Sequence, residues 1–124
     1  KIGDTLFYVE VADTSAARIQ GLSGRESIGE GEGMLFLFDT TEAHGIWMRE
    51  MRFPIDIIWI KEGRIVGVTE RAAPEPGVPL HELTVYRPPE PIDTVLEVNA
   101  GVAERERLHA GQKIEYIDAG ELRD

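Results

Sequence analysis

Glycine and proline interrupt this chain so often that its backbone must turn many times within a short length. The 124 residues include 13 glycines and 7 prolines, a combined share well above average usage. The segments between these breaks are short and rich in β-branched and aromatic residues, which is typical of strands. We therefore predict a mainly β fold of the β-rich α+β class, a compact sandwich or barrel-like structure with one or two short helices.

Eight short segments have the pattern of strands, and two have the pattern of helices. The predicted strands cover residues 6–12, 34–38, 45–53, 56–60, 64–69, 85–87, 93–99 and 113–117. Asp13 or Thr14 is expected to cap a helix that runs to about Leu22, because a side-chain oxygen there accepts a hydrogen bond from a first-turn N–H. A second helix is predicted within residues 100–109, and Lys-Glu-Gly at residues 61–63 predicts a hairpin turn.

Length and composition predict one domain that covers residues 1–124. The chain has 42% hydrophobic and 29% charged residues, which is a globular balance, and a domain of this size buries enough surface for one core. Cysteine is absent, so disulfides, thiol catalysis and zinc–thiolate sites are excluded. No apolar run is long enough to cross a bilayer, so we expect no integral membrane segment.

The charge balance argues against polyanionic partners. Thirteen basic residues against 23 acidic ones give a net charge of −10, and like charges repel a nucleic-acid backbone or an anionic membrane. The histidines, His44, His81 and His109, lack the spacing of a metal site. We therefore expect no nucleic acid, no metal and no cofactor, and the sequence leaves the oligomeric state open.

Asp56 is a charged residue on a strand face that otherwise has the pattern of a buried surface. Alternation along residues 55–60 places it beside two isoleucines. An ionised carboxylate there is costly unless it is paired or hydrogen-bonded. We expect Arg18, Arg25 or backbone N–H groups of the glycine-rich turn to supply the donor, and this structural role is favoured over a chemical one.

Glu97 is a second charged residue in an apolar strand. Along residues 94–99 it shares one strand face with Val95 and Asn99. That face is either the wall of a polar cleft or a solvated sheet face, and the sequence leaves both interpretations open.

Arginine, aromatic and thioether side chains complete the candidate set. Arg18 and Arg25 can hold an anionic ligand or internal carboxylates, and internal pairing is the favoured interpretation. Trp47 and Met48 begin a stretch that contains both tryptophans of the chain, which predicts core packing first and an aromatic platform for an apolar or sugar-like ligand second. The candidate ligand-binding residues are Arg18, Arg25, Trp47, Met48, Asp56, Glu97 and Asn99.

Five segments carry a likeness to a known family: RIQGLSGR at 18–25, GMLFLF at 33–38, WMR at 47–49, PIDII at 54–58 and LEVNAG at 96–101. Together they resemble the bacterial and archaeal family called domain of unknown function 192, over about residues 5–117. The chain departs from it at Glu50-Met51, where Asn-Thr is usual, and at Ser23, where Met is common. The resemblance implies a compact β-rich fold and export to the periplasm or cell exterior, with the cytoplasm as the alternative, and it brings no biochemical activity.

The leading functional hypothesis is a non-catalytic, exported binding or accessory module for a small ligand or a partner. Its pocket is expected where five residues converge: Arg25, Trp47, Met48, Asp56 and Glu97. Motifs for a nucleophilic serine or a phosphate-binding loop are absent, so an enzyme is the less favoured class. The alternative is a small hydrolase-like enzyme with Asp56 or Glu97 as general base, and a third hypothesis has the loop at residues 73–83 dock a partner.

Overall fold

A five-stranded mixed sheet forms the centre of the protein in the computed structural model, which describes residues 1–117. In chain order the elements are β1 (Tyr8–Ala12), α1 (Ser15–Gln20), β2 (Glu32–Glu42), β3 (Ile46–Trp47), β4 (Ile55–Lys61), β5 (Arg64–Ala72), β6 (Val85–Tyr86), β7 (Ile92–Asn99) and α2 (Val102–Arg105). A short 3-10 turn at Leu80–Glu82 lies between β5 and β6.

The strand order in the large sheet is β1-β2-β7-β4-β5. β1 runs parallel to β2, and the other three neighbouring pairs are antiparallel. β7 is therefore the central strand, with β2 on one side and β4 on the other. β3 and β6 form a separate two-stranded ribbon.

Apolar side chains cover both faces of the sheet, because period-two alternation in β4 and β7 places large residues on each side. One face packs residues such as Phe36, Ile57 and Trp59 against the ribbon residues Ile46 and Tyr86. The opposite face packs a second cluster that contains Ile58. The prediction of a mainly β fold with two short helices is confirmed.

Three predicted elements are less than half as long as expected or lose their regular structure, and backbone geometry explains two of them. Residues 45–53 contain only β3, since Glu50 adopts a φ of 55° that a strand cannot accommodate. α2 ends early because Arg107 is left-handed (φ 55°) and the Leu108 N–H donates to Ala103 O at 2.8 Å, a pattern that closes a helix. Residues 113–117 form two isolated bridges, because Lys113 pairs with Arg64 while Ile114 pairs with Ile2.

The hairpin between β4 and β5 has the predicted turn. Lys61 pairs with Arg64, and the two loop residues Glu62 and Gly63 both have positive φ, 49° and 76°. This is the geometry that matches the twist of antiparallel strands. No helix within residues 1–117 has the length and apolar character needed to cross a bilayer.

Candidate functional site

An open cavity of about 450 Å³ lies between α1, the β3 ribbon strand and one face of the large sheet. Its lining combines small, aromatic and polar residues from four separate stretches of the chain. These residues are Ser15, Arg18, Ile19, Gln20, Gly21, Leu22, Ser23, Phe36, Phe38, His44, Gly45, Ile46, Trp47, Met51 and Glu97. The cavity is large enough for a small organic ligand.

Glu97 forms the floor of this cavity at the centre of the sheet. Its register partners are Met34 on β2 and Ile57 on β4, so apolar strands border it on both sides. The residue is only 4% exposed. Of the two interpretations of this strand face, the cavity wall is the one observed, because a solvated face would leave Glu97 open to bulk water.

The carboxyl group of Glu97 has no hydrogen-bond donor among residues 1–117. Every solvent-inaccessible side-chain oxygen or nitrogen in this part of the chain has a hydrogen-bond partner. The Glu97 oxygens, which accept no hydrogen bond from it, are therefore in contact with the open volume of the cavity. Burial away from water raises the pKa of Glu97 from 4.5 to about 8. At neutral pH the group is therefore mainly a neutral carboxylic acid that can both donate and accept a hydrogen bond.

Helix α1 forms one wall, and local sequence determines where it begins and ends. Thr14 Oγ1 accepts a hydrogen bond from Ala17 N at 3.1 Å, which makes Thr14 the N-cap. Gly21 ends the helix with a φ of 49°, and a Cβ there would lie 3.3 Å from Phe36 Cζ. Only glycine fits this position without strain, and it allows the helix end to approach the aromatic floor closely.

Arg18 ties α1 to β2 at one end of the cavity. Its Nη1 donates to Leu37 O at 2.8 Å, and its Nη2 lies 3.4 Å from the exposed Asp39 carboxylate. The guanidinium carbon lies 5.7 Å from the centre of the Phe38 ring, which is within range for a cation–π contact. The His44 ring stacks on the same Phe38 at 4.0 Å between ring centres, so this end of the cavity is already occupied by internal contacts.

Apolar side chains border the mouth of the cavity. Trp47 on β3 is 41% exposed and Ile19 on α1 is 67% exposed. Both line the cavity while they remain in contact with solvent. A ligand that enters here would cover apolar surface that the folded chain leaves in water.

Asp56 lies on the opposite face of the sheet and has a structural role. Its Oδ1 accepts a hydrogen bond from Arg71 N at 2.8 Å, and its Oδ2 accepts from Gly101 N at 3.0 Å and Ala103 N at 2.9 Å. The expectation of a donor is therefore confirmed, but the expected partners, Arg18, Arg25 or backbone N–H groups of the glycine-rich turn at residues 29–33, are wrong. Three backbone amides replace them: Gly101 and Ala103 supply two at the start of α2, and Arg71 supplies the third from the neighbouring strand β5.

The three remaining candidates also lie outside the cavity lining. Met48 is buried in the core on the cavity side of the sheet. Arg25 pairs with Glu10 on β1 at 2.5 Å. Asn99 Nδ2 donates to Ile28 O at 3.1 Å and so holds the acidic turn before β2. Of the seven candidates, the structure brings together Arg18, Trp47 and Glu97.

Two features of the site escaped sequence reasoning. Phe36 and Phe38 alternate in the apolar strand β2, which is a detectable signal for a shared face, but that pattern also fits a strand buried on both sides. His44 lies in the connection between β2 and β3, and no local pattern indicates that its ring reaches Phe38. Among residues 1–117, no group of three or more acidic or histidine side chains is arranged to hold a metal ion.

Comparisons with known proteins agree with this architecture. The family model DUF192, described as "Uncharacterized ACR", matches residues 1–116. A crystal structure of a protein of unknown function from Novosphingobium aromaticivorans DSM 12444 is 33% identical over 89% of this chain and 75% of that chain, with a TM-score of 0.79. A second, described as a candidate transcription regulator from Sinorhizobium meliloti 1021, is 32% identical over 88% of this chain and 81% of that chain, with a TM-score of 0.79. No protein of curated function matches the chain.

Proposed function

This chain belongs to the DUF192 family, whose description assigns no activity, and we propose from its geometry that it is a non-catalytic binding module for a small, largely apolar ligand. The observation that carries the proposal is the buried carboxyl group of Glu97 at the floor of an aromatic-walled cavity, where no donor from residues 1–117 reaches it. An unpaired polar group in a protein interior is costly. A ligand that hydrogen-bonds to it would remove that cost on binding.

The composition of the cavity supports a ligand over a purely structural void. Ligand pockets are typically concave and apolar, with a small number of polar groups that orient the bound molecule. Here Phe36, Trp47 and Met51 supply apolar surface, and Glu97 supplies one orienting polar group. Four of the five segments that resemble the family meet at this cavity, through α1 and its C-terminal turn, β2, β3 and β7.

A fragment screen by ligand-observed NMR tests the proposal, with Trp47→Ala as the site variant. Trp47 is partly exposed, so its truncation should leave the fold intact while it removes one wall of the cavity. The matched control is Tyr8→Ala, because Tyr8 is an exposed aromatic residue on β1, outside the cavity. We expect hits that Trp47→Ala weakens and Tyr8→Ala does not; a broad library without such hits would disprove the proposal.

One observation favours a second candidate, a small acid–base enzyme that uses Glu97. A carboxyl group with a pKa near 8 can exchange a proton at neutral pH, which suits general acid or base catalysis. One of the two serine hydroxyls of the described lining is engaged elsewhere, since Ser23 Oγ donates to Arg49 O at 2.7 Å. Turnover of a hydrolase substrate panel that follows the titration of Glu97 and is lost in Glu97→Gln would favour the enzyme over the binding module.

The Sinorhizobium relative is described as a transcription regulator, but we do not propose that this chain binds DNA. The net charge of −10 opposes the phosphate contacts that supply most non-specific affinity for DNA. Export of the chain stays a prediction, and fractionation of cells that express the complete gene is the measurement that decides it.

A further inference from the structure

We propose that the ligand of the Glu97 cavity is a small organic cation, an amine with an aromatic or alkyl body whose ammonium group binds the Glu97 carboxylate. This inference rests on the proposed function and names the chemical class of its ligand. Three features support it: the Glu97 carboxyl group without a donor from residues 1–117, the aromatic walls of the cavity and the negative net charge of the protein.

Glu97 is the one acidic side chain in the described cavity lining, and its carboxyl group has no hydrogen-bond partner within residues 1–117. When an ammonium group binds, the carboxyl proton leaves to solvent and the ammonium takes its place as the positive partner. The buried site therefore stays neutral overall, which avoids the cost of an isolated charge in a low-dielectric interior. Because the pKa of Glu97 is about 8, loss of that proton near neutral pH costs little.

An anionic ligand would find few donors in the same cavity. Arg18 is the one permanently cationic side chain of the lining, and it is already bound to Leu37 O and Asp39. Phe38, beneath the guanidinium, lies four residues along β2 from Met34, the register partner of Glu97. Four strand residues span about 13 Å between Cα atoms, and the raised pKa of Glu97 has burial as its cause, with no contribution from the Arg18 charge. The Arg18 charge therefore weakly opposes a cation at Glu97.

The walls suit a cation attached to an apolar body. Aromatic faces attract ammonium groups through their quadrupoles, and Trp is the strongest of them. Arg18 already lies over the Phe38 ring in such a contact. Phe36 and Trp47 also line the cavity, and no arginine or lysine of residues 1–117 lies over their rings. The net charge of −10 adds a long-range field that attracts cations to the surface.

A matched trio of probes tests the charge preference by isothermal titration calorimetry at pH 8. The probes are 2-phenylethylamine, 2-phenylethanol and 3-phenylpropionate, which share one ring and differ in charge. We expect the amine to bind at least tenfold more tightly than the alcohol, and the carboxylate to bind most weakly. Glu97→Gln should bring the amine and the alcohol to similar affinities. Glu90→Gln, at an exposed carboxylate outside the cavity, should keep the preference.

The pH dependence of amine affinity gives a second readout, which is measured on the original chain. The ionised fraction of Glu97 rises up to tenfold per pH unit below its pKa, so amine affinity should rise steeply from pH 6 to pH 8. Arg18 and His44 are the other charged or titratable side chains of the described lining. Retention of the slope in His44→Gln would assign it to Glu97.

The outcomes separate the ligand class from the proposed function. If the alcohol or the carboxylate binds as tightly as the amine, or if amine affinity does not rise with pH, the cation inference is overturned while the cavity remains a binding site. If none of the three probes binds but fragments of another class do, the cation inference is again overturned. If no fragment of any charge binds at Trp47, both the cation inference and the proposed binding function are disproved.

Discussion

Glu97 and Asp56 lie on paired neighbouring strands, one register position apart, and so project from opposite faces of the central sheet. Ile57 is the register partner of Glu97, and Asp56 is the residue before it. Both carboxyl groups are buried, with Asp56 0% and Glu97 4% exposed. Asp56 accepts three backbone N–H groups, whereas Glu97 accepts none from residues 1–117. One carboxyl group is thus committed to the fold, and the other remains available for a ligand.

Replacement of Asp56 should destabilise the fold strongly. Asp56→Ala leaves the N–H groups of Arg71, Gly101 and Ala103 without their acceptor, and buried unsatisfied donors each cost on the order of 1–3 kcal/mol. Because two of the three hydrogen bonds are only partly buried and water can reach their donors, we expect a net loss of roughly 2–4 kcal/mol in the free energy of unfolding by urea denaturation. Asp39→Ala removes a carboxylate that is 85% exposed and should change stability little. A loss below about 1 kcal/mol for Asp56→Ala would show that water replaces the carboxylate at these amides.

Stability should fall with rising pH because of Glu97. The folded-state pKa of about 8 exceeds the unfolded value of 4.5, so between these values the folded state holds a proton that the unfolded state has lost. The linkage relation then gives a free energy of unfolding that decreases by about 1 kcal/mol per pH unit from this group. The decrease should begin near pH 4.5 and level off above about pH 8.

The matched variant for this prediction is Glu97→Gln, which has no proton to lose. Its stability relative to the original chain should increase as pH rises from 5 to 8, when both are measured by urea denaturation at each pH. Other titrating groups act equally on both proteins and cancel in the difference. A difference that stays constant across this range would mean that Glu97 is ionised in the folded state.

Much of the fold could be predicted because local pattern and tertiary structure agree. β4 and β5 follow from alternating apolar residues around the turn at residues 61–63, and the turn residues have the backbone angles that their types favour. Residues 45–53 show the limit of this method. Their alternation predicts a strand, but the left-handed Glu50 breaks it, and only β3 pairs with a strand that lies far along the chain.

The candidate site was harder to predict because both buried carboxylates have the same local pattern. Whether a donor meets Asp56 depends on Gly101 and Ala103, which are 45 and 47 residues away. Strand alternation correctly places Glu97 on the same face of β7 as Val95 but carries no information about what covers that face. Helix α1 covers it, and the position of α1 depends on the Arg18 contact with β2.

Loss of the Arg18 side chain should loosen α1 without unfolding the sheet. None of the helical residues of α1 is fully buried, so the hydrogen bond from Arg18 to Leu37 O is a main attachment. We expect Arg18→Ala to accelerate amide hydrogen exchange at position 18 and at Gly21 more than tenfold, while exchange in β7 is unchanged. Arg25→Ala, which removes an exposed ion pair with Glu10, should leave exchange in α1 as it was. Equal protection of α1 in both variants would contradict the anchoring role.

The two tryptophans should report separately on the cavity and on the core. Trp47 is 41% exposed at the cavity mouth, whereas Trp59 is 1% exposed and donates from Nε1 to Thr69 Oγ1 at 2.9 Å. Acrylamide should therefore quench only part of the fluorescence, and Trp47→Phe should remove that part and leave a blue-shifted, protected emission. A cavity ligand should shield Trp47 from acrylamide and leave the Trp59 signal unchanged. Quenching of both tryptophans to the same extent would show that the core around Trp59 admits solvent, which contradicts the packing of β4 against β5.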